Sequence, residues 1–383
     1  MKQSPQNFEP TLAVLPKRGP ADAAEQPLVS QFTGTRRTGR PATMRQIARI
    51  AKVSPATVSL VLNQNPRISL STQNRVRRVM DQVGYRPNRA GYGQSSTRAQ
   101  ALAVMLPALN LALADRYFGM LISGICERAF KLNYRVMLEQ ATPEFVKNQR
   151  HIELFERRVV DGILCLCNTD RHSFLTDFAE RQYPMITVNN YFPEWNLDFV
   201  VSDYSGGADQ VMDYLFQLGH RRIAMINGLT SIRTARDQVE RYEHKLRSVG
   251  SEPEASWRED GQFTQRGGAE AAEKLIARHP DLTAIFAGND NMAIGAMYYL
   301  NRIGKRVPQD VTVVGFDDWQ DTVFANEELT TVHLPLAQVG ALACDRLVER
   351  IQGRTDPVRD VLATHLKVRH TSGLAREANS HPR

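Results

Sequence analysis

The stretch "VSPATVSLVLN" (53–63) holds no charged residue, in a chain of 383 residues that carries 48 Lys and Arg against 41 Asp and Glu. Ser54 followed by Pro55 reads as a helix start. The serine side chain can accept from an N–H of the first turn, and proline at the first helical position has no N–H to lose. The stretch therefore predicts a short helix. Upstream, Thr43 and Gln46 form a capping box opening "MRQIARIAKV" (44–53), with Ile47, Ile50 and Ala51 at helical spacing. Downstream, a third helix follows Ser69 or Ser71. It places Val76, Val79, Met80 and Val83 on one face with Arg75, Arg77 and Arg78 beside it, and Gly84 and Pro87 stop it. Two short helices joined by a tight turn, with a third packed across them, predict a helix-turn-helix head.

The net charge of +7 is unevenly placed: residues 1–99 carry 16 Lys and Arg against 4 Asp and Glu, and the remainder is mildly acidic. A basic module on an acidic body suits duplex binding, because each cation at a phosphate releases condensed counterions. A basic disordered arm or an RNA-binding tail would carry the same charge. Residues 1–42 have no apolar period and read as a disordered basic leader ending in "RRTGRP" (36–41), a minor-groove arm or a solvated linker.

No apolar run is long enough to span a bilayer and no secretory signal opens the chain, so a cytoplasmic protein is expected. Cys126, Cys165, Cys167 and Cys344 are too few for a disulfide framework. The Cys165–Cys167 pair lies in the apolar run "GILCLC" (162–167), which favours packing over metal, and neither a metal nor a cofactor is expected.

Beyond residue 100, short apolar runs alternate with amphipathic stretches. Strands are expected at "ALAVML" (101–106), "RVMLEQ" (135–140), "GILCLC", "MITV" (185–188), "FVVSD" (199–203), "RIAMING" (222–228), "TAIFAGND" (283–290) and "VTVVGFDD" (311–318). Helices are expected near 118–132, 145–158, 172–182, 205–218, 235–249, 265–279, 290–303 and 336–352. At least eight such units exceed one doubly wound sheet, so two α/β lobes of parallel strands follow. Ligands in such folds sit outside the carboxyl ends of the strands, where Asn189, Asp203, Asn289, Asp290, Asp317 and Asp318 fall.

With both halves read, the sequence resembles the lactose-repressor (LacI/GalR) family of bacterial transcription regulators from Thr43 onward. The resemblance rests on "VSPATVSLVLN", Ile68, Ser69 and Thr72, "GYRPNRA" (84–90), "RRVVDGIL" (157–164), "LGHRRIAMI" (218–226), "AIFAGNDNMAIGAM" (284–297) and "VPQDVTVVGFDD" (307–318), in register. It implies an all-α helix-turn-helix DNA-binding domain (43–88), a hinge (89–99) and a two-lobed α/β core of parallel sheets like the periplasmic binding proteins. The expected lobes are 100–200 with 332–360, and 201–331 with 361–373, before a polar tail (374–383). The implied partners are a two-fold operator in double-stranded DNA, a second copy in a homodimer, and a small-molecule effector, a sugar or sugar acid. No membrane partner is implied.

The resemblance assigns base reading to Pro55, Ala56 and Leu60, and phosphate bonding to Ser54, Thr57, Ser59, Asn63 and Ser69; Thr43 is counted among the DNA-binding residues. Apolar readers cannot form bidentate hydrogen bonds, but they can pack on thymine methyls. Hydrogen-bonding readout then shifts to Arg45 and Arg67, either of which could hold phosphate instead. Val58, Val61 and Leu62 read as core. Asn88 and Arg89 lead into the hinge, where relatives carry a helix with a wedging leucine. This chain instead has "GYGQSS" (91–96), with Gln94 at the wedge position. Two glycines cost a helix about 1 kcal/mol each. The hinge is expected to order poorly and bend DNA less, with Tyr92 as a substitute wedge.

In the core, the resemblance makes Arg236 a bidentate clamp on ligand hydroxyls, Asn189, Asn289 and Asp317 polar contacts, and Phe263 a stacking aromatic. Asp115, Tyr117 and Phe118, in "DRYFGM" (115–120), are candidate contacts from the other lobe. Asp290 and Asp318 read as helix caps, and His220 as a helix C-terminal cap. Arg241 and His333 could favour an acidic ligand. Competing readings are a solute-binding transport component, a regulator responding to a nucleobase, and an enzyme on the same core. No nucleophile elbow, P-loop or Gly-rich dinucleotide fingerprint supports the last.

Overall fold

The computed structural model describes residues 43–62, 65, 67–83, 98–107, 115–166, 174–318 and 329–376. The chain divides into two units, a head (1–89) and a core (90–383).

In the head, α1 (Met44–Ile50), α2 (Pro55–Leu62) and α3 (Leu70–Gln82) enclose a small core of Ile47, Ala48, Ala51, Val58, Val61, Val76, Val79 and Met80. The start signals behave as read. Thr43 Oγ1 accepts from Gln46 N while Gln46 Oε1 accepts from Thr43 N at 2.7 Å, and Ser54 Oγ accepts from Thr57 N at 3.0 Å. Ser69 accepts from Thr72 N, which settles the start of α3. One expectation changes: Ile50 is exposed and Ala48 takes its place in the core, because the buried face of α1 runs through 47, 48 and 51.

The core holds two parallel sheets. The first comprises β1 (Ala101–Pro107), β2 (Arg135–Ala141), β3 (Gly162–Leu166), β4 (Met185–Val188), β5 (Phe199–Ser202) and β11 (Arg359–Leu362), in the order β11-β5-β4-β3-β1-β2. The second has β6 (Ile223–Asn227), β7 (Arg258–Asp260), β8 (Ala284–Ala287) and β9 (Thr312–Val314), in the order β7-β6-β8-β9. Central strands such as β3 are buried along their whole length, as strands covered on both faces must be, whereas edge strand β2 is only partly buried until its last residue, Ala141.

Helices α4 (Arg116–Lys131), α5 (Pro143–Lys147), α6 (Arg150–Glu156), α7 (Phe174–Glu180) and α12 (Leu336–Ile351) serve the first sheet. Helices α8 (Tyr204–Gln217), α9 (Arg233–Ser248), α10 (Gln265–Arg278) and α11 (Asp290–Arg302) serve the second. The single helix expected at 145–158 is two, because Gln149 adopts a left-handed φ of 53° between α5 and α6.

The chain passes between the sheets after β5, through β10 (Thr331–His333) and through β12 (His365–Lys367). The last two crossings pair antiparallel, Val332 opposite Leu366. The expected lobe boundaries at 200/201 and 360/361 fall inside β5 and β11, which belong to the first sheet along their whole length.

Candidate nucleic-acid interface and effector cleft

On α2 the buried face is Val58 and Val61, with Leu62 packed partly against it, and the outer face is Pro55, Ala56 and Leu60. Ser54 and Thr57 share a hydroxyl hydrogen bond of 2.9 Å, and Ser69 bonds to Ser71 and Thr72 at 3.1 and 3.0 Å, so these hydroxyls cluster at the starts of α2 and α3. Ser59 is half-buried. Arg45, Arg49, Arg67, Arg75, Arg77 and Arg78 are exposed around the head. A charge-free helix framed by cations matches a groove reader whose neighbours grip phosphates. Asn63, Asn88, Arg89, Tyr92 and Gln94 lie outside the described residues.

In the core, the carboxyl ends of both sheets lead to a polar network. Asn189, just past β4 and fully buried, donates its amide to the Tyr117 hydroxyl at 2.7 Å and to the Tyr204 hydroxyl at 3.1 Å, while its Oδ1 accepts from Ser202 N at 2.8 Å. Tyr204, the first residue of α8, stacks on Phe316 past β9, their ring centroids 5.4 Å apart. Gly207, one turn on, has no room for a Cβ against the Phe316 ring. Asn189 thus orients two tyrosines rather than standing free for a ligand.

Asp317 follows Phe316. It is 7% exposed and adopts a φ of 124°, a conformation side chains with a Cβ rarely take. Its backbone N–H is held by Val332 O at 2.9 Å. Its carboxyl is held well above the ordinary carboxylate range, first by burial, then by the nearby charges of Asp290 and Asp115. Asp115 is raised by burial too, although it caps α4 by accepting from Tyr117 N at 2.9 Å. Asn189, Phe263, Asp317 and Asp318 all take left-handed φ, so the strand ends share an unusual backbone.

Several expected roles shift. Asn289, not Asp290, caps α11, accepting from Met292 N at 2.9 Å, and its amide donates to Phe263 O. Asp290 is buried and accepts from the Thr331 hydroxyl at 2.6 Å. Asp318 caps no helix among the described residues; His333 and Arg369 hold it. His333 is therefore committed, as is Arg241, whose guanidinium makes a two-point bond to Asp209 at 2.8 and 2.7 Å, so neither argues for an acidic ligand. Phe118 sits in the hydrophobic core behind Tyr117. Phe263 is half-buried, and its ring fills the space beside Gly228 that a Cβ would take. Arg236 lies half-buried on α9. His220 caps α8 through its backbone, whose N–H donates to Leu215 O at 3.0 Å. Its ring, buried, bonds instead to the Thr283 hydroxyl at 2.9 Å and to Gly373 O at 3.0 Å, and burial lowers its pKa.

Residue-by-residue reading missed four groups. Tyr191 donates to Asp237 Oδ2 at 2.9 Å, Arg233 pairs with Asp237 Oδ1 at 2.8 Å, and the Arg233 guanidinium lies 5.8 Å from the centre of the Tyr191 ring. Gln238, fully buried, donates to Gly288 O past β8 at 3.3 Å. Their only sequence signals were nearness to Asn189 and to Arg236. Among the described residues no cluster has the makings of a metal site, and no helix is long and apolar enough to cross a membrane.

A helix-turn-helix head joined to a two-lobed core with polar strand ends defines a class of DNA-binding regulators governed by small molecules. Residues 43–88 match the family model "Bacterial regulatory proteins, lacI family" and residues 100–371 match "Periplasmic binding proteins and sugar binding domain of LacI family". The chain belongs to the LacI family: it is a DNA-binding transcription regulator, not an enzyme. It is 32% identical to the HTH-type transcriptional regulator CelR of Thermobifida fusca, over 88% of this chain and 99% of that one. A solved CelR–cellobiose complex covers 87% of the chain and is itself covered in full, at 30% identity and a TM-score of 0.67. The Lac repressor dimer bound to operator and an anti-inducer gives 26% identity and a TM-score of 0.73 over the same shares.

Proposed function

We propose that the chain is a repressor of carbohydrate-use genes that grips a two-fold operator as a homodimer in the cytoplasm. Its grip is set by an uncharged sugar or sugar derivative held between the lobes. The observation that carries the ligand class is Asp317: a buried carboxyl at a strand end that makes no side-chain hydrogen bond to a described residue and lies near two other carboxyls. Such a group suits a ligand hydroxyl and disfavours an anion. The neighbouring cations support this, since Arg233, Arg241 and Arg369 are each paired with a protein carboxylate. The CelR–cellobiose complex is a relative with a sugar bound. The lobe boundaries are best drawn after Ser202 and Leu362, and the head and hinge at 43–88 and 89–99.

A thermal-shift screen of the full chain against neutral sugars, sugar acids, sugar phosphates and purines tests the ligand class. A gel shift on upstream DNA with and without the stabilising compound then tests the regulation. Stabilisation by anions or purines alone would overturn the uncharged-sugar assignment, and no specific retardation would overturn the repressor.

A further inference from the structure

Leu60 is 37% exposed in the middle of α2, on the face that also carries Ala56 one turn earlier. Among the described residues, that face offers no side-chain amide and no charged group to a base edge. Pro55 and Ala56 have none, Ser54 and Thr57 bond to each other at 2.9 Å, and Ser59 is half-buried. The cations lie off the helix, on α1, α3 and the connecting turn. The second helix of such a head lies in the major groove. The apolar group that groove displays is the methyl on C5 of thymine, which stands apart from the donors and acceptors that otherwise tell the base pairs apart.

We propose that Leu60, with Ala56, reads the C5-methyl group of one pyrimidine in each operator half-site, and that at this position the methyl, not the hydrogen-bonding pattern of the pair, is what the protein specifies. The inference rests on the DNA-binding reading of α2. An exposed leucine gains by covering a methyl and by losing water from both surfaces, a gain that a uracil or an unmodified cytosine cannot supply. Because the contact is apolar, it contributes nothing to the salt dependence of binding, which the arginines set.

Selection of duplexes from a randomised pool by the full chain supplies the probe. Each thymine of the selected site is then replaced by uracil, which removes the methyl alone, and by cytosine or 5-methylcytosine paired with guanine. One position per half-site should lose about fourfold in affinity on thymine→uracil, the worth of one buried methyl. At that position 5-methylcytosine should bind within about twofold of thymine, while cytosine falls with uracil. Leu60→Ala should erase the thymine–uracil difference without changing the salt slope. Ile50→Ala, exposed on α1 and outside the groove-facing helix, should preserve it. The inference is overturned if uracil matches thymine at every position, if 5-methylcytosine behaves as cytosine, or if Leu60→Ala keeps the difference. A pool that yields no enriched sequence overturns the DNA-binding reading itself, a failure distinct from the other three.

Discussion

The Tyr191 hydroxyl, from the loop after β4 of the first sheet, donates to Asp237 on α9 of the second at 2.9 Å, and Arg233 holds the other oxygen of the same carboxylate at 2.8 Å. Burial raises Asp237, with Tyr191 and Arg233 opposing that shift. The contact ties two elements that belong to different sheets. Tyr191→Phe keeps the ring against Arg233 and removes only the hydrogen bond, worth about 1.5–3 kcal/mol when one partner is charged. The free variant should expand in solution scattering with unchanged far-UV circular dichroism, and bind effector at least tenfold more weakly. Unchanged scattering and affinity would show that the tie has no part in closure.

Asp317→Asn tests the strained carboxyl. Its folded-state pKa is raised, so between the ordinary carboxylate value and the raised one the folded chain binds more protons than the unfolded chain. Its stability must therefore fall as pH rises through that window. The asparagine variant removes this loss. Its melting temperature at pH 7–8 should exceed that of the parent by ~2–4 °C, narrowing toward mildly acidic pH, while the effector no longer releases or tightens operator binding. A parent and variant with parallel pH profiles would remove the charge argument.

Arg45 stands exposed in the first turn of α1, the helix that crosses the phosphate backbone in heads of this kind. Arg45→Ala should weaken every duplex by a similar factor and lower the slope of log K against log salt by about 1. Relaxed preference at a single base pair, with the slope intact, would make Arg45 a base reader instead.

The resemblance to the LacI family implies a wedging leucine at the position of Gln94, in the glycine-containing run 91–96. Gln94→Leu should raise operator affinity and increase the bend measured by circular permutation of the site. Unchanged affinity and angle would mean that this hinge does not work through a minor-groove wedge.

The elements that were legible in the sequence are those whose burial decides their composition. Every long apolar strand, from "ALAVML" to "VTVVGFDD", lies in one of the two sheets, and the three caps of the head start helices where the side-chain chemistry puts them. Four strands were not legible. The sequences "RED" at β7, "TVH" at β10, "RDVL" at β11 and "HLK" at β12 are three or four residues long, and most carry charges because they run along edges or cross between lobes. The strand-end residues of the site were legible by position but not by task. Whether Asn289 or Asp290 caps α11 depends on Thr331, and the fate of Asp318 depends on Arg369, partners that no local pattern brings near.

The first sheet takes its edge strand β11 from residues 359–362, made after every strand of the second sheet. Among the described residues, the apolar core of the head draws on nothing beyond Val83. On a ribosome, where domains fold as units and N-terminal ones emerge first, the DNA reader is therefore complete long before the sensor can close. A chain stopped early by a nonsense codon keeps a folded reader but loses the sensor, so such a truncation is expected to leave a head that folds alone and no longer answers to the effector.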